Sequence, residues 1–202
     1  VIEDTLLDLR FHISPLSFYQ INPIQTEVLY KTVIACAALE GDETVWDLYC
    51  GIGTISLALA AAMRERKKEG GRVFGIEVVE QAVRDARENA RENDIENVTF
   101  YEGKAEELLP KWKGKELPPP NLIVVDPPRK GCAQETLRTM LEAGPERIIY
   151  VSCDSATLAR DLRILVDGGY RLQTVQPVDM FPQTVHVETV VLLSKLDVDK
   201  AK

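Results

Sequence analysis

Apolar, strand-like runs alternate with helix-like runs along most of this chain, and this alternation limits the possible folds more than any other feature. Alternating strands and helices form a parallel sheet with helices on both faces, because each helix crosses over the sheet between two strands. Two last strand patterns have no helix between them, which predicts an antiparallel hairpin. The predicted strands are 44–49, 72–77, 98–103, 121–126, 147–152, 170–179 and 185–195, and the predicted helices are 53–68, 80–93, 133–143 and 155–168. The pattern therefore predicts an α/β fold with a mostly parallel sheet of seven strands.

The first forty residues lie outside this alternation. The stretch TLLDLRFHI predicts one strand, and PIQTEVLYKTVIACAAL predicts a helix. We therefore expect an N-terminal extension over 1–40 that packs on a main domain over 41–196, followed by a disordered tail over 197–202. Residues 114–121, which contain three prolines, predict a surface loop.

Charge and cysteine content narrow the functional classes. The 202-residue chain has a formal net charge of −8, which taken alone argues against binding of nucleic acid through its phosphates. We expect no membrane partner, since no apolar run approaches the ~18 residues of a membrane span and no secretory signal opens the chain. The four cysteines are far apart and form no CxxC pair, which argues against metal sites and disulfides and predicts a cytoplasmic protein. Because the first residue is Val, we expect a piece of a longer protein.

A glycine loop, DLYCGIGTIS, joins the first strand of the main domain to its helix. Gly51 and Gly53 allow a tight turn against a ligand at a helix N-terminus, although a merely tight turn has the same pattern. Asp47 precedes the loop, where a carboxylate repels a pyrophosphate but suits the cationic amino-acid part of S-adenosylmethionine. Glu77 ends the next strand, where an acid accepts ribose hydroxyls in both S-adenosylmethionine and NAD enzymes. Asp126, in DPPRKG, faces the same crevice, and together these features favour a methyltransferase.

A second candidate site begins at Cys153, where an apolar strand ends and a helix starts. A helix N-terminus stabilises a thiolate, so we expect a Cys153 pKa below the ordinary value of ~8.5; a packed, unreactive thiol is the alternative. In FPQTVHVE, Glu188 is an acid within an apolar run, and such an acid needs a partner or a role in proton transfer. His186 is either a second candidate base or a hydrogen-bonded structural histidine.

Six motifs together resemble the RNA (uracil-5-)methyltransferase family, whose members are Rossmann-like class I enzymes that use S-adenosylmethionine. The motifs are FYQIN, DLYCGIGTISL, GIE, DPPRKG, VSCDSATLARDL and FPQTVHVE, and they appear in the family's order over residues 17 to 195. The last two are diagnostic, since glycine loops and DPP occur in many methyltransferases. The amino-acid sequences of these motifs most resemble those of the bacterial enzymes that modify uridines in 23S ribosomal RNA.

The resemblance implies a role for each matching residue. Cys153 is implied as the nucleophile that adds to C6 of uracil, and Glu188 as the base that removes the C5 proton. Two matches have simpler readings, Gln20 as a surface or capping amide and Tyr49 as a core aromatic. The implied cofactor-binding residues are Gln20, Asp47, Tyr49, Gly51, Gly53, Thr54, Glu77 and Asp126. The implied substrate-binding residues are Pro127, Arg129, Lys130 and His186.

The resemblance also implies partners and two departures. Relatives commonly carry an N-terminal RNA-binding β-barrel, and many have a cysteine-rich iron–sulfur segment. We expect neither within these 202 residues; we expect the longer protein to have the first, and the sequence leaves the second open. We therefore expect an RNA substrate, ribosomal rather than transfer RNA, with much of the phosphate binding outside this chain, which would explain its acidity. We expect a monomer. Ser155 stands where many relatives have proline, and Lys104 stands where relatives have a neutral or acidic residue near the adenine.

Overall fold

The computed structural model describes residues 2–15, 17–66, 68–111 and 118–196; the predicted tail at 197–202 and residues 114–117 of the predicted loop at 114–121 lie outside them. The strands are β1 (Ile2–Leu6), β2 (Leu9–Ile13), β3 (Thr44–Leu48), β4 (Arg72–Glu77), β5 (Val98–Glu102), β6 (Leu122–Val125), β7 (Arg147–Ser152), β8 (Tyr170–Val178) and β9 (Glu188–Lys195). The helices are α1 (Pro23–Ala37), α2 (Thr54–Glu65), α3 (Glu80–Glu92), α4 (Ala105–Lys111), α5 (Gln134–Ala143) and α6 (Ser155–Asp167).

Seven strands form one sheet in the order β5-β4-β3-β6-β7-β9-β8. The pairs from β5 to β7 are parallel, and β9 pairs antiparallel with both β7 and β8. The predicted sheet, mostly parallel with an antiparallel hairpin at its end, is confirmed. The chain builds outward from β3 to β4 and β5, and then starts again on the other side of β3 with β6. The strand order thus reverses between β3 and β6, and in open α/β sheets such a point marks the ligand crevice.

Two cores cover the two faces of the sheet, because successive side chains of a strand point to opposite sides. On one face, residues such as Val45 and Val124 pack against α1, α2 and α3. On the other face, Trp46 and Ile123 pack against α4, α5 and α6. All four residues of β6 are buried, as expected for a central strand that is covered on both faces. The prediction of helices on both faces is therefore confirmed.

Three local predictions are wrong. The stretch TLLDLRFHI is not one strand, because β1 and β2 pair as an antiparallel hairpin. Leu7 and Asp8, at its turn, have φ angles of 53° and 62°, the positive values of a tight two-residue turn, but they lack the asparagine or glycine that usually indicates one. Helix α4 is missing from the sequence assignment, since Pro110 interrupts its pattern. Strand β9 begins at Glu188 instead of residue 185.

The N-terminal hairpin is fixed to α3 by side chains that imitate a neighbouring strand. Asn89 accepts a hydrogen bond from the backbone N–H of His12 (2.7 Å) and donates one to its carbonyl (3.4 Å). One helical turn on, Asn93 does the same with Arg10, at 2.8 and 2.7 Å. The spacing works because four helical residues rise about 6 Å, close to the rise of two strand residues. This anchoring brings the segment after β2 to the carboxyl edge of the large sheet.

Among the described residues, no helix is both long enough and apolar enough to span a bilayer. In the same part of the chain, His, Cys, Asp and Glu side chains do not gather in threes in a way that would hold a metal ion.

Candidate active site

A cavity of about 770 Å³ opens at the carboxyl ends of β3, β4, β6 and β7, where the strand order reverses. The segments 18–20 and 181–188 close its other sides. Its volume is within the range of small-molecule sites, about 300–1,000 Å³. Of the predicted site residues, those that line the cavity are Gln20, Asp47, Tyr49, Gly51, Thr54, Glu77, Asp126, Pro127, Arg129, Lys130, Cys153, His186 and Glu188.

Gly53 is the predicted site residue that does not line the cavity. It is the N-cap of α2 with a φ of 82°. A Cβ at this position would lie 2.7 Å from Cζ of Phe100 and 3.2 Å from Cβ of Ala86. Gly53 therefore lets the loop pack closely on β5 and α3. Gly51, with a φ of 54°, has open space where a Cβ would lie. Of the two glycines in the loop, Gly51 is therefore the one that lines the cavity.

Asp47, at the end of β3, is fully buried in the cavity wall. Its Oδ2 accepts a hydrogen bond of 2.5 Å from Oγ of Ser56, whereas its Oδ1 has no hydrogen-bond partner among the described residues. Burial, with a smaller contribution from Glu77, raises the pKa of Asp47 to about 7. A buried carboxylate oxygen without a partner favours a positively charged or hydrogen-donating ligand.

Glu77, at the end of β4, holds the glycine loop in place. Its Oε2 accepts a hydrogen bond from the N–H of Gly51 (3.1 Å), and its Oε1 accepts from Val78 (2.7 Å) and Val79 (2.9 Å). A carboxylate has about four acceptor positions. One position therefore remains for a hydroxyl of a ligand in the cavity.

Hydroxyl groups support the rest of the cofactor side. Tyr49 has a φ of 66°, and its hydroxyl bonds to Oγ1 of Thr136 at 3.3 Å. Oγ1 of Thr54 bonds to the buried hydroxyl of Tyr30 at 2.8 Å. Gln20 is buried at the cavity.

Cys153 and Glu188 are brought together by strand pairing. In the antiparallel β7–β9 ladder, Ser152 pairs with Thr189, so Cys153 and Glu188 are the next residues at the same end. Asp154 begins α6 as its N-cap and accepts hydrogen bonds from the N–H groups of Ala156 (3.1 Å) and Thr157 (2.9 Å). Cys153 therefore lies between a strand end and a helix N-terminus, as the sequence predicts.

The expected low pKa of Cys153 is wrong for the protein alone. Burial is the largest cause that raises the Cys153 pKa, and the charges of Glu188 and Asp126 raise it further. Burial also raises the pKa of Glu188 and, together with the charges of Glu188 and Asp47, raises that of Asp126 well above its ordinary value. The helix terminus is thus outweighed by burial and by two neighbouring carboxyl groups. Arg129 opposes this effect, since its charge lowers the pKa of both Cys153 and Glu188.

The loop after β6 carries the basic candidates. Arg129 and Lys130 are exposed at the cavity, beside Pro127. Arg160, a nearby basic residue on α6, forms a salt bridge with Asp161 at 2.8 Å and donates to the carbonyl of Lys130 at 2.9 Å. Its guanidinium is therefore engaged in the fold.

His186 is exposed at the cavity mouth. Its ring meets that of Phe181 edge to face, with centroids 6.5 Å apart. Its backbone N–H donates to Oγ1 of Thr184 at 3.2 Å. The ring of His186 thus packs on a residue of its own segment, 181–188.

Several cavity residues escape the sequence analysis. Phe18 and Phe181 line the mouth, and Glu106 lines the side formed by α4. Glu106 accepts a hydrogen bond from Oγ1 of Thr136 at 3.1 Å, which extends the contact of Tyr49. The sequence pattern gives no signal for Glu106, because it does not predict helix α4. Lys104 also lines the cavity, with its ammonium group 3.1 Å from Glu107.

Comparisons with known proteins agree with this arrangement. The family described as tRNA (Uracil-5-)-methyltransferase matches residues 7–196. An uncharacterized RNA methyltransferase of Listeria monocytogenes is 53% identical over 193 residues, and one of Enterococcus faecalis is 55% identical over 194; each match covers 96% of this chain and 41% of the relative. The chain thus spans well under half the length of these relatives.

A solved structure shows the same relationship. The Pyrococcus abyssi tRNA (uracil-54, C5)-methyltransferase, in complex with S-adenosyl-L-homocysteine, superposes with a TM-score of 0.79 at 32% identity, covering 95% of this chain and 44% of that one. A precorrin-6y methyltransferase from Geobacter metallireducens, at 18% identity and a TM-score of 0.70, shares the fold. With the sheet order, the cavity and a family match over residues 7–196, the chain belongs to the tRNA (uracil-5-)methyltransferase family, whose members depend on S-adenosylmethionine.

Proposed function

We propose that this chain is the catalytic domain of an RNA (uracil-5-)methyltransferase that forms a covalent adduct between Cys153 and C6 of a uridine. One observation carries the proposal: the end of the β7–β9 ladder holds a nucleophile and a buried acid side by side at a cofactor-sized cavity. A methyltransferase that acts on an exocyclic nitrogen needs no thiolate. The pairing of Cys153 with Glu188 therefore favours carbon as the acceptor.

The two side chains divide the reaction between them. Cys153 adds as a thiolate to C6, which forms an S–C6 bond and moves the electrons of the C5–C6 double bond onto C5 and O4. C5 then becomes nucleophilic enough to take the methyl group. Glu188 removes the proton from C5, the double bond re-forms, and the S–C6 bond breaks to release Cys153. The nucleotide product carries a methyl group in place of one proton.

The cavity fits S-adenosylmethionine by charge. Asp47 offers a buried oxygen without a partner, Glu77 keeps one acceptor position, and Gly51 leaves open space above the loop. When bound, the cofactor supplies an electrophilic methyl group and a positive sulfonium charge. Cys153 then loses its proton more readily, because a positive charge offsets the carboxylates that raise its pKa.

The substrate side suits a flipped-out base. Arg129 and Lys130 are exposed beside the reactive pair and would meet phosphates next to the target uridine. A uracil must leave its stack to reach Cys153, which is easiest in an RNA loop. We propose 23S ribosomal RNA as the substrate because the motif sequences resemble those of enzymes that act on it. Labelling of transfer RNA is the alternative outcome of the experiment below.

Trapping the adduct tests the proposal. Glu188→Ala should add to uridine but fail to remove the C5 proton, so a Cys153–RNA adduct should accumulate and be seen as a slower band on a denaturing gel. Total RNA with radioactive S-adenosylmethionine, separated after reaction, shows whether the label enters ribosomal or transfer RNA. Cys36→Ala, at a half-buried cysteine outside the cavity, is the matched control for Cys153→Ala.

Each outcome has a distinct meaning. If Glu188→Ala turns over normally, the assigned base is wrong. If Cys153→Ala still methylates RNA, transfer is direct and the acceptor is a different atom. If the wild-type chain binds the cofactor but labels no RNA at any concentration, it is a cofactor-binding module that needs further protein.

A further inference from the structure

A buried carboxylate on α6 joins three elements behind the reactive pair. Asp161 has no exposed surface, and its Oδ2 accepts hydrogen bonds from the hydroxyl of Tyr150 on β7 (2.6 Å) and from the N–H of Cys132 after β6 (2.8 Å). Its Oδ1 accepts a bond of 2.8 Å from Nε of Arg160. Burying an aspartate is costly unless its charge is paired and bonded, and all these partners are supplied here.

The partners of Asp161 hold the turn that carries Arg129. This turn closes with a bond from the N–H of Gly131 to the carbonyl of Pro128 (2.8 Å). Arg160, oriented by Asp161, donates to the carbonyl of Lys130 at 2.9 Å, and Oγ1 of Thr157 donates to the carbonyl of Arg129 at 3.0 Å. The whole turn is thus fixed to α6, the helix that starts directly after Cys153.

The packing at Gly131 shows that the turn and the Asp161–Arg160 pair are closely fitted. Gly131 has a φ of 75°, and a Cβ there would lie 2.5 Å from Oδ2 of Asp161 and 2.6 Å from an Nη of Arg160. A side chain at this position would have to displace the turn or the ends of these two side chains. The position of the turn therefore depends on the position of the pair.

We propose that Asp161 is a positioning residue, which fixes the 128–131 turn so that the guanidinium of Arg129 stays beside Cys153 and Glu188. The inference rests on the proposed role of Cys153 as the nucleophile. The charged groups that face Cys153 are Glu188 on β9, Asp126 after β6 and Arg129 on the turn. Arg129 is the cation among these three, so moving it leaves the thiol facing two carboxylates.

The rate at which iodoacetamide alkylates Cys153, measured from pH 6 to pH 10 by peptide mass spectrometry, tests this inference without methyl transfer. In Asp161→Asn the profile should move to higher pH, so that alkylation at neutral pH slows by about three- to tenfold, because Arg129 no longer favours the thiolate. Arg129→Gln should produce the same shift. The double variant should shift no further than either single one, since both changes remove one effect.

The direction of the shift separates the explanations. If Asp161 acted only through its own negative charge, its removal would lower the Cys153 pKa and speed alkylation. A faster reaction, an unchanged profile, or fully additive shifts in the double variant would each overturn the inference. Asp167→Asn is the matched control, because Asp167 accepts from Arg163 on the same helix at 2.8 Å, on an exposed salt bridge away from the turn. It should leave the profile unchanged.

Two further variants keep the test decisive if Asp161→Asn does not fold. Arg160→Gln alters a half-exposed side chain, and Gly131→Ala keeps Asp161 but pushes the turn away from it. Both should slow alkylation in the same direction as Arg129→Gln, and an unchanged profile in both would overturn the inference. If the wild-type chain fails to methylate RNA, the proposed function falls, while the alkylation profiles still decide the role of Asp161.

Discussion

Replacing Asp47 by asparagine should make the protein more stable, and increasingly so as the pH rises. Asp47 is fully buried, with one oxygen bonded to Ser56 and the other without a partner among the described residues. An asparagine keeps an oxygen to accept the bond from Ser56, and it carries no charge. The change therefore removes the cost of ionising a buried carboxyl in the folded protein.

The size of the effect follows from the pKa. A carboxyl whose pKa is raised by folding stabilises the folded state while it is protonated, and this contribution is lost as the pH rises through the folded pKa. Asp47 has an ordinary pKa of 3.8 and a folded pKa of about 7. Relative to low pH, the folded state has therefore lost about 1.7 kcal/mol at pH 5, where mainly the unfolded chain is ionised at Asp47, and about 4 kcal/mol at pH 8. The advantage of Asp47→Asn should therefore grow by about 2.5 kcal/mol between these two pH values.

Urea unfolding of both proteins at pH 5 and pH 8, without cofactor, measures this difference. Asp85→Asn is a control with the opposite sign. Asp85 is also buried, but hydrogen bonds from Ser17, Gln81 and Ser14 outweigh its burial and lower its pKa, so it stabilises the fold above its ordinary pKa and loses this contribution as the pH falls. Asp85→Asn should therefore destabilise the protein at neutral pH. If the advantage of Asp47→Asn is the same at pH 5 and pH 8, Asp47 is not held protonated by burial, and the argument for its ligand fails.

Three further predictions concern the loop, the hairpin and the thiol. Asn89→Ala should lower the free energy of unfolding by about 2–3 kcal/mol, because it leaves half-buried backbone groups of His12 without their partner on α3; exposed Glu88→Ala on the same helix should change little. Gly53→Ala should destabilise the protein in urea by about 1–3 kcal/mol while Gly51→Ala mainly weakens cofactor binding in calorimetry, and the reverse pattern would contradict the assignment of the two glycines. Cys153 should be alkylated faster with S-adenosylmethionine bound than with S-adenosylhomocysteine bound, since the two ligands differ at the sulfonium charge; equal rates would argue against charge control of the thiol.

The large sheet could be predicted because its strands and helices carry clear hydrophobic periods. The hairpin of β1 and β2 could not, since Leu7 and Asp8 adopt positive φ angles that neither residue type indicates. The turn is held by its surroundings: Asn89 and Asn93 bond to the backbone of β2 from a helix about eighty residues away. Contacts across such distances leave no local pattern in the sequence.

The ends of the predicted strands indicate where the candidate site lies. They do not indicate the pKa values of its side chains. A cysteine at a helix N-terminus predicts a stabilised thiolate, but burial is the largest cause that raises its pKa. The two acids that raise it further, Glu188 on β9 and Asp126 directly after β6, are distant in sequence. Asp161 does have a signal in the sequence. It falls three residues after Leu158 and four before Leu165, both buried, so it lies on the apolar face of α6. A charged residue at such a position indicates a buried partner.

The acidic residues that line the cavity affect both the pKa of Cys153 and the charge of the ligand that the cavity favours. Asp47, Asp126 and Glu188 lie in one crevice, and burial raises the pKa of each. Such a crevice favours a cation, and burial, together with the charges of Glu188 and Asp126, raises the pKa of Cys153 in the protein alone. A protonated thiol is a poorer nucleophile than a thiolate and is less easily oxidised. Burial and the nearby acids thus disfavour the thiolate of Cys153, the proposed nucleophile, and the same acids favour a positively charged cofactor, whereas the charge of Arg129 lowers the pKa of the thiol.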